Sequence, residues 1–363
     1  MAVDKRLNPN DEPQTVNDAL MIPAKTGETV ELEPGTDNPM VEITDDGGAI
    51  VGEQERIIED THDANLAELI DETELGNIAS ELTGFYEDDL SSREDWEQAY
   101  KKGLDLLGLK YDERSQPFQG ASGVTHPLLS ESVTQFQAQA YKELLPAGGP
   151  VRTQVIGEVT KEKEDQAQRV QEFMNYQIMH VMEEFDPDLD QMLFYLPLSG
   201  STFKKIYYDA SLGRAVSKFV PSDDLVVPYN AVNLEQAERV THVIKKSENE
   251  VRKLQVTGFY RDVDIQVVNN QNDVEEKERA LSGVRKVGYS DDEYTLLEVH
   301  ANLDIPGFER EDGIKVPYIV TIDEGSGKIL SIYRNYSEED DKLRKTQYFV
   351  HYKFLPGLGF YGL

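Results

Sequence analysis

The feature that most constrains this chain is where its aromatic residues begin. All 32 of them lie at or beyond Phe85 in a sequence of 363 residues. The first 90 positions carry 24 acidic side chains and four basic ones (Lys5, Arg6, Lys25 and Arg56), so 20 of the 33 excess negative charges sit in a quarter of the chain. Such a segment, broken by Pro13, Pro23, Pro34-Gly35 and Asp46-Gly47-Gly48, buries too little apolar surface to offset the entropy of ordering it. Residues 1–60 are therefore expected to be disordered, with one short amphipathic helix near Leu66–Leu82. A packed core is expected only from Phe85 onward, leaving residues 1–84 as an acidic arm.

Composition removes several chemistries. There is no Cys, which excludes disulfides, thiolate catalysis and Cys-ligated zinc together. No apolar run reaches the roughly 18 residues needed to cross a bilayer, and the opening MAVDKRLNPNDEPQTV has no apolar stretch of the secretory kind. A reducing cytoplasm is the expected setting for assembly. The net charge of −33 argues against a broad grip on nucleic acid, which gathers Lys and Arg on one face to neutralise phosphates.

The pattern beyond the arm reads as α+β. A helix carries Trp96, Tyr100, Leu104 and Leu107 on one stripe, and a second follows Pro127 with Val133, Phe136, Ala140, Tyr141 and Leu144 on its buried face. A short strand is expected at Val151–Ile156. The strongest helical period runs from Lys161 to Phe185 through Val170, Phe173, Met174, Ile178, Val181 and Met182, and another helix spans Leu189–Leu198. Strands at Thr202–Tyr208 and Arg214–Val220 flank a hairpin loop, and Leu225–Val227 and Arg239–Ile244 are expected to extend that sheet. Ser247 and Glu250 form a capping box for a short helix ending at Gly258. Residues 261–293 turn polar, as a mobile connector or frayed helix would. A second small sheet is expected from Leu296–Leu303, Pro317–Ile322, Ile329–Tyr333 and Tyr348–Phe354. The apolar, glycine-rich stretch from Phe354 to Leu363 is expected to need partner elements absent from this chain.

The motifs carry little chemistry. Gly357-Leu-Gly359-Phe-Tyr-Gly362 matches G-x-G-x-x-G, but no helix follows it and two aromatics crowd the place of a phosphate, which favours a structural turn. Asp186, Asp188 and Asp190 alternate like the first ligands of a calcium loop. Gln191 and Pro197, however, stand where that loop needs Gly and Glu, so a helix-dipole role is the cheaper reading. The six histidines, His62, His126, His180, His242, His300 and His351, show no metal-site spacing. Neither a nucleophile elbow nor a phosphate-binding lysine loop occurs. Lys245-Lys246, Arg252-Lys253, and Lys342 with Arg344-Lys345 are local basic clusters that could meet phosphates; interleaved Glu248, Glu250, Asp340 and Asp341 favour ordinary surface pairing.

Four segments resemble the portal proteins of short-tailed bacteriophages: Gln116-Pro-Phe-Gln-Gly-Ala-Ser-Gly-Val-Thr-His-Pro-Leu-Leu-Ser-Glu-Ser-Val, Lys142-Glu-Leu-Leu-Pro-Ala-Gly-Gly-Pro-Val, Pro197-Leu-Ser-Gly-Ser-Thr-Phe-Lys-Lys-Ile-Tyr-Tyr-Asp, and Pro221-Ser-Asp-Asp-Leu-Val-Val-Pro-Tyr. The likeness runs from about Phe85 to the end. It implies a non-enzymatic subunit of a ring, usually of twelve copies, at one capsid vertex in the virion, through which double-stranded DNA is packaged and ejected. No cofactor and no metal are implied. The implied partners are further copies of the chain, the terminase large subunit, the major capsid and scaffolding proteins, and head-completion adaptors. By the same likeness residues 85–260 correspond to a wing, 261–293 to a connector along the stem, 294–336 to a clip, and 337–363 to a return segment before a second stem helix and crown. Lys245, Lys246, Arg252, Lys253, Lys342, Arg344 and Lys345 become candidates to face DNA, and Phe308, Glu309, Tyr318, Asp323 and Tyr333 candidates to dock terminase or adaptor. Two other readings remain open: a metal-dependent phosphohydrolase or nuclease built from converging carboxylates, and a monomeric adaptor whose acidic arm binds a basic partner.

Overall fold

The structure, a computed structural model, describes residues 40–43, 49–52, 61–108, 118, 120, 126–210, 212–267, 273–282, 293–310, 312–340, 342–355 and 359–362. The chain forms two units, residues 1–59 and 60–363. In the first, β1 (Met40–Ile43) pairs antiparallel with β2 (Ala49–Gly52), Val41 opposite Val51. These two strands are the described part of the stretch expected to be disordered, and the rest of that expectation lies outside the described residues.

The second unit is α+β, and its core begins about 20 residues earlier than the first aromatic. A 3-10 turn at Leu66–Glu68 buries Leu66 and Ala67 completely. It leads into α1 (Glu72–Ser92), capped by Asp71, whose carboxylate accepts from the Thr73 amide at 3.0 Å. Leu75, Ala79, Leu82 and Tyr86 recur at helical spacing and are all buried. Aliphatic side chains alone suffice for this stripe, which is why the absence of aromatics misplaced the boundary. After α2 (Glu94–Leu107) come α3 (Leu128–Leu144), α4 (Lys161–Tyr176), a π-helical turn at Gln177–Val181, and α5 (Phe185–Ser199). The long helix expected over 161–185 is thus interrupted. Residues 151–156 are extended but unpaired, so the expected strand there is absent.

Two antiparallel sheets follow. In the smaller, β3 (Ser201–Asp209) lies between β4 (Arg214–Val220) and β10 (Phe349–Lys353). In the larger the order is β5 (Leu225–Val226), β6 (Arg239–Ser247), β7 (Glu293–Leu303), β8 (Val316–Asp323), β9 (Ile329–Arg334). Strands expected to extend the first hairpin therefore join the later ones, and the last strand crosses back to β3. The ranges likened to wing and clip contribute to one sheet. Ser247 caps α6 (Glu248–Val256) through the expected box. Within the expected connector, α7 (Asp273–Ser282) docks on α2, with Lys277 Nζ 2.5 Å from Asp105 and Tyr100 donating to Glu278 at 2.6 Å.

Sheet edges are closed by side chains. On β9, Asn65 Oδ1 accepts from the Ile332 amide at 2.9 Å while its Nδ2 donates to the Leu330 carbonyl at 3.1 Å. On β4, the Phe219 amide donates to Asp188 at 2.7 Å and the Ser217 amide to Glu184 at 3.1 Å. Arg93, buried at the α1–α2 junction, donates to the carbonyls of Ser222, Asp223 and Leu225 at 3.1, 2.7 and 3.3 Å and to Glu97 at 3.0 Å. Part of the tail is covered by this chain: Phe360 stacks on His351 and Tyr361 on Trp96, both buried, while Phe354 and Leu355 stay exposed. The aromatics that argued against a phosphate turn are core residues; Gly357 itself lies outside the described residues.

Candidate functional site

The register of β6 on β7 decides whether the seven basic candidates can act as one surface. Ser247 faces Glu293 at one end of the pair and Arg239 faces Ala301 at the other. Lys245, Lys246 and, on α6, Arg252 and Lys253 belong to the first end. Lys342 and Lys345 lie at the second, beside Asn302 and Pro317. Nine residues of strand separate the ends, about 25–30 Å at ~3.3 Å per residue. The candidates are two clusters, not one.

The second end forms the more developed site. A groove of about 420 Å³ is lined by Lys342, Lys345, Arg310, Lys315 and Ile314, with Glu235 and Glu238 on its opposite wall. Its shape comes from a turn over 340–344. The Asp340 carboxylate accepts from the Lys342 amide at 3.2 Å and from Arg344 Nε at 2.8 Å, which holds its pKa below the usual carboxylate value. Leu343 completes the turn at φ 49°, a left-handed conformation that disfavours a branched side chain. Lys345 reaches under the turn and donates to the carbonyls of Leu234 and Ala237 at 3.3 and 3.4 Å; burial lowers its pKa. Arg310 is taken up by Asp312 at 2.8 Å. Lys315 and Lys342 have no ion pair among the described residues and stand exposed at the rim. Arg310 and Lys315 were not identified from the sequence, because they enter the groove from the β7–β8 loop, some 30 residues before Lys342.

At the first end Lys246 and Lys253 likewise have no ion pair among the described residues, but they stand on a strand and a helix and lie outside the groove. Arg252 is engaged by Asp262 and by Gln255 at 3.2 Å, and Glu250 is turned to Ser247 instead of pairing a neighbouring lysine. Among the described residues, the i,i+4 pairing expected for both clusters is seen at Arg344 and Asp340.

The docking candidates divide by burial. Tyr318 is 2% exposed and Asp323 fully buried, so neither presents a surface. Asp323 organises its hairpin instead: its Oδ2 accepts from the amides of Gln266 and Ser326 at 3.0 and 2.9 Å. Phe308 packs partly into the core beneath Arg334, 5.5 Å from ring centroid to guanidinium carbon, and Glu309 accepts from the Gly307 amide at 2.9 Å. Tyr333, half-buried, stacks on the exposed Phe259 at 5.0 Å and donates to the Phe259 carbonyl at 2.7 Å.

Between the sheets lies a charged cluster that the sequence hid. Lys205 on β3 sits 2.6 Å from Glu298 on β7, His300 Nε2 is 2.7 Å from the same oxygen, and His242 on β6 lies 3.8 Å away. Burial alone would raise the Glu298 pKa, yet Lys205 and the imidazoles hold it well below the usual range. Burial pushes His242 down. The two histidines are 58 positions apart, so no spacing rule could join them. The ammonium occupies the place a cation would need, and among the described residues no group of three or more His, Asp or Glu is placed to hold a metal ion. The aspartates of the calcium-like run separate: Asp186 accepts from Tyr141, Asp188 from the Phe219 amide and Asp190 from Gln137 at 2.8 Å. No helix among the described residues is long and apolar enough to cross a membrane.

No protein-family model matches the chain, and no curated protein is significantly similar to it.

Proposed function

We propose that this chain is a portal subunit of a short-tailed bacteriophage: one copy in a ring at a single capsid vertex, a conduit for DNA and a platform for terminase and head-completion proteins. The reading is carried by the four portal-like segments, which occur in order along the chain. The described parts of these segments fall at transitions of the fold. Residues 126–133 start α3, and 142–151 end it and lead toward α4. Residues 197–209 turn α5 into β3 at Gly200, whose φ of 82° lets the backbone reverse, and 221–229 lead through β5. The charge agrees with such a role, because a net-negative conduit limits phosphate adhesion and lets DNA slide. Within this reading the wing, connector and clip are functional regions of one continuous unit, and the groove lined by Lys315 and Lys342, both exposed and without an ion pair among the described residues, is the concave cluster for phosphate.

Electron micrographs of the purified chain, with native mass measurement, test the proposal. Annular particles with a central hole and a mass that is a multiple of 41.1 kDa are expected. Solitary globules of 41.1 kDa at every concentration would end it.

A further inference from the structure

Among the described residues, two apolar faces of the second unit have no partner, and they differ in kind. The first is on α4, which buries none of its residues. One flank is closed by the extended segment before it: Asn175 exchanges hydrogen bonds with the Val151 backbone at 2.9 and 3.1 Å, and Thr153 bonds to Gln171 and to the Ala167 carbonyl at 3.1 and 2.9 Å. The adjoining face carries Val170, Phe173, Met174 and Tyr176, each more than two-fifths exposed, with Phe173 at 62%. Val170, Phe173 and Tyr176 follow at steps of three, and Met174 lies four from Val170, so the four share one broad apolar face.

The second face is on the small sheet. Lys204 pairs with Val350 and Thr202 with Tyr352, which fixes Ile206, Tyr208, Val350, Tyr352 and Phe354 to the side that α3 and α5 cover only in part. All five are more than a third exposed, Tyr208 at 68%. Taking about 150–250 Å² for a fully exposed aromatic side chain and somewhat less for an aliphatic one, each face offers roughly 400 Å² of apolar surface. A standard protein interface takes about 800 Å² from each partner, a little over half of it apolar. Either face therefore supplies about the apolar share of one half-interface.

We propose that the two faces are the two halves of one head-to-tail contact between copies of this chain, the α4 stripe of one copy seated on the β3–β10 face of the next. Two unlike faces on one subunit generate a heterologous contact, which closes into a ring when the rotation allows. A two-fold dimer would use one face and leave the other bare. The inference deepens the ring reading above and rests on it.

The test uses the full chain and charges each face separately, with Phe173→Glu on α4 and Tyr208→Glu on β3. Both sites are exposed, so folding is expected to survive; Met174→Lys and Tyr352→Lys provide a second pair, and circular dichroism checks each variant. Sedimentation velocity is expected to show wild-type assemblies and, for each variant alone, monomers, with association weakened at least a hundredfold. An equimolar mixture of Phe173→Glu and Tyr208→Glu is expected to stop at a two-subunit species, because one intact copy of each face remains. If wild type forms rings and either variant still assembles, the contact is elsewhere and the ring reading stands. A mixture that stays monomeric overturns the pairing of these two faces. Wild type that is monomeric at all concentrations overturns both readings.

Discussion

Replacing Lys204 by Met should stabilise the protein, and by an amount the structure sets. Lys204 projects from β3 under α5 with 2% of its surface exposed. Its ammonium lies 4.0 Å from the centroid of the Phe185 ring and has no hydrogen-bond partner. The charged groups facing it are Asp188 on α5 and Glu184 at that helix's N-cap, with Arg214 and Lys218 beyond them on β4. Both carboxylates are engaged elsewhere, Asp188 by the Phe219 amide and Glu184 by Arg214 at 2.7 Å. Burial lowers the Lys204 pKa from 10.5 to about 8, with Asp188 and Glu184 opposing only in part. Because the folded value lies below the unfolded one, the unfolded chain holds the proton more tightly, and stability rises with pH from about 8 to about 10.5. At 1.36 kcal/mol per pH unit the charged form costs about 3 kcal/mol at pH 7, about 2 at pH 9 and about 1 at pH 10. Loss of the desolvated ammonium over Phe185 takes back about 2 kcal/mol, and the Met sulfur keeps the apolar stem in place. Lys204→Met is therefore expected to gain about 1 kcal/mol at pH 7 in denaturant unfolding, and the gain should shrink steadily as pH rises to 10. A variant no more stable than wild type at pH 7, or a gain independent of pH, would refute the account of this site.

Other expectations follow from the same geometry. Arg93→Met strands three buried carbonyls and should lower unfolding free energy by about 3–5 kcal/mol; Arg93→Lys should recover little, since one ammonium cannot span the same acceptors. The folded pKa of His242 lies below its unfolded value, so stability should fall as pH drops from about 6.5, and His242→Gln should flatten that part of a pH–stability curve. Lys205→Met leaves Glu298 buried without its ammonium and should cost about 3–5 kcal/mol, whereas Lys205→Met with Glu298→Met should cost much less, a difference that a double-mutant cycle reads directly. Lys315→Ala with Lys342→Ala should reduce the salt dependence of double-stranded DNA retention by about two in log–log slope, and Lys245→Ala with Lys246→Ala, half-buried and outside the groove, should reduce it by less; equal effects from both pairs would contradict the assignment of phosphate contact to the groove.

Much of the secondary structure was legible because it follows from neighbours in sequence. The stripe at Trp96, Tyr100 and Leu104 gives α2, the Ser247–Glu250 box starts α6, and the alternation on either side of Gly213 gives the β3–β4 hairpin. Each depends on residues within about ten positions of one another, where side-chain period and turn chemistry act directly. The α4 stripe was legible too, but its meaning was not. A 3.6-residue period states that one face is apolar; whether that face meets the same chain is decided by where α3 and the 151–156 segment run.

What stayed hidden was set by pairing over long distances. β10 shares its hydrophobic alternation with β7, β8 and β9, and nothing in that alternation specifies whether it adds to their sheet or to β3, more than 140 residues earlier. The choice comes from tertiary contacts: Phe349 and His351 fill the space between the sheets with Phe203 and Phe360, which requires β10 beside β3. Once that strand crosses over, Lys205 is brought onto Glu298 and Lys345 is carried beneath the 340–344 turn toward Leu234. The charged cluster between the sheets and the basic groove are thus both products of one crossover, and neither exists as a motif in the linear order. The sequence showed which residues carried charge; only the return of β10 determined which charges met.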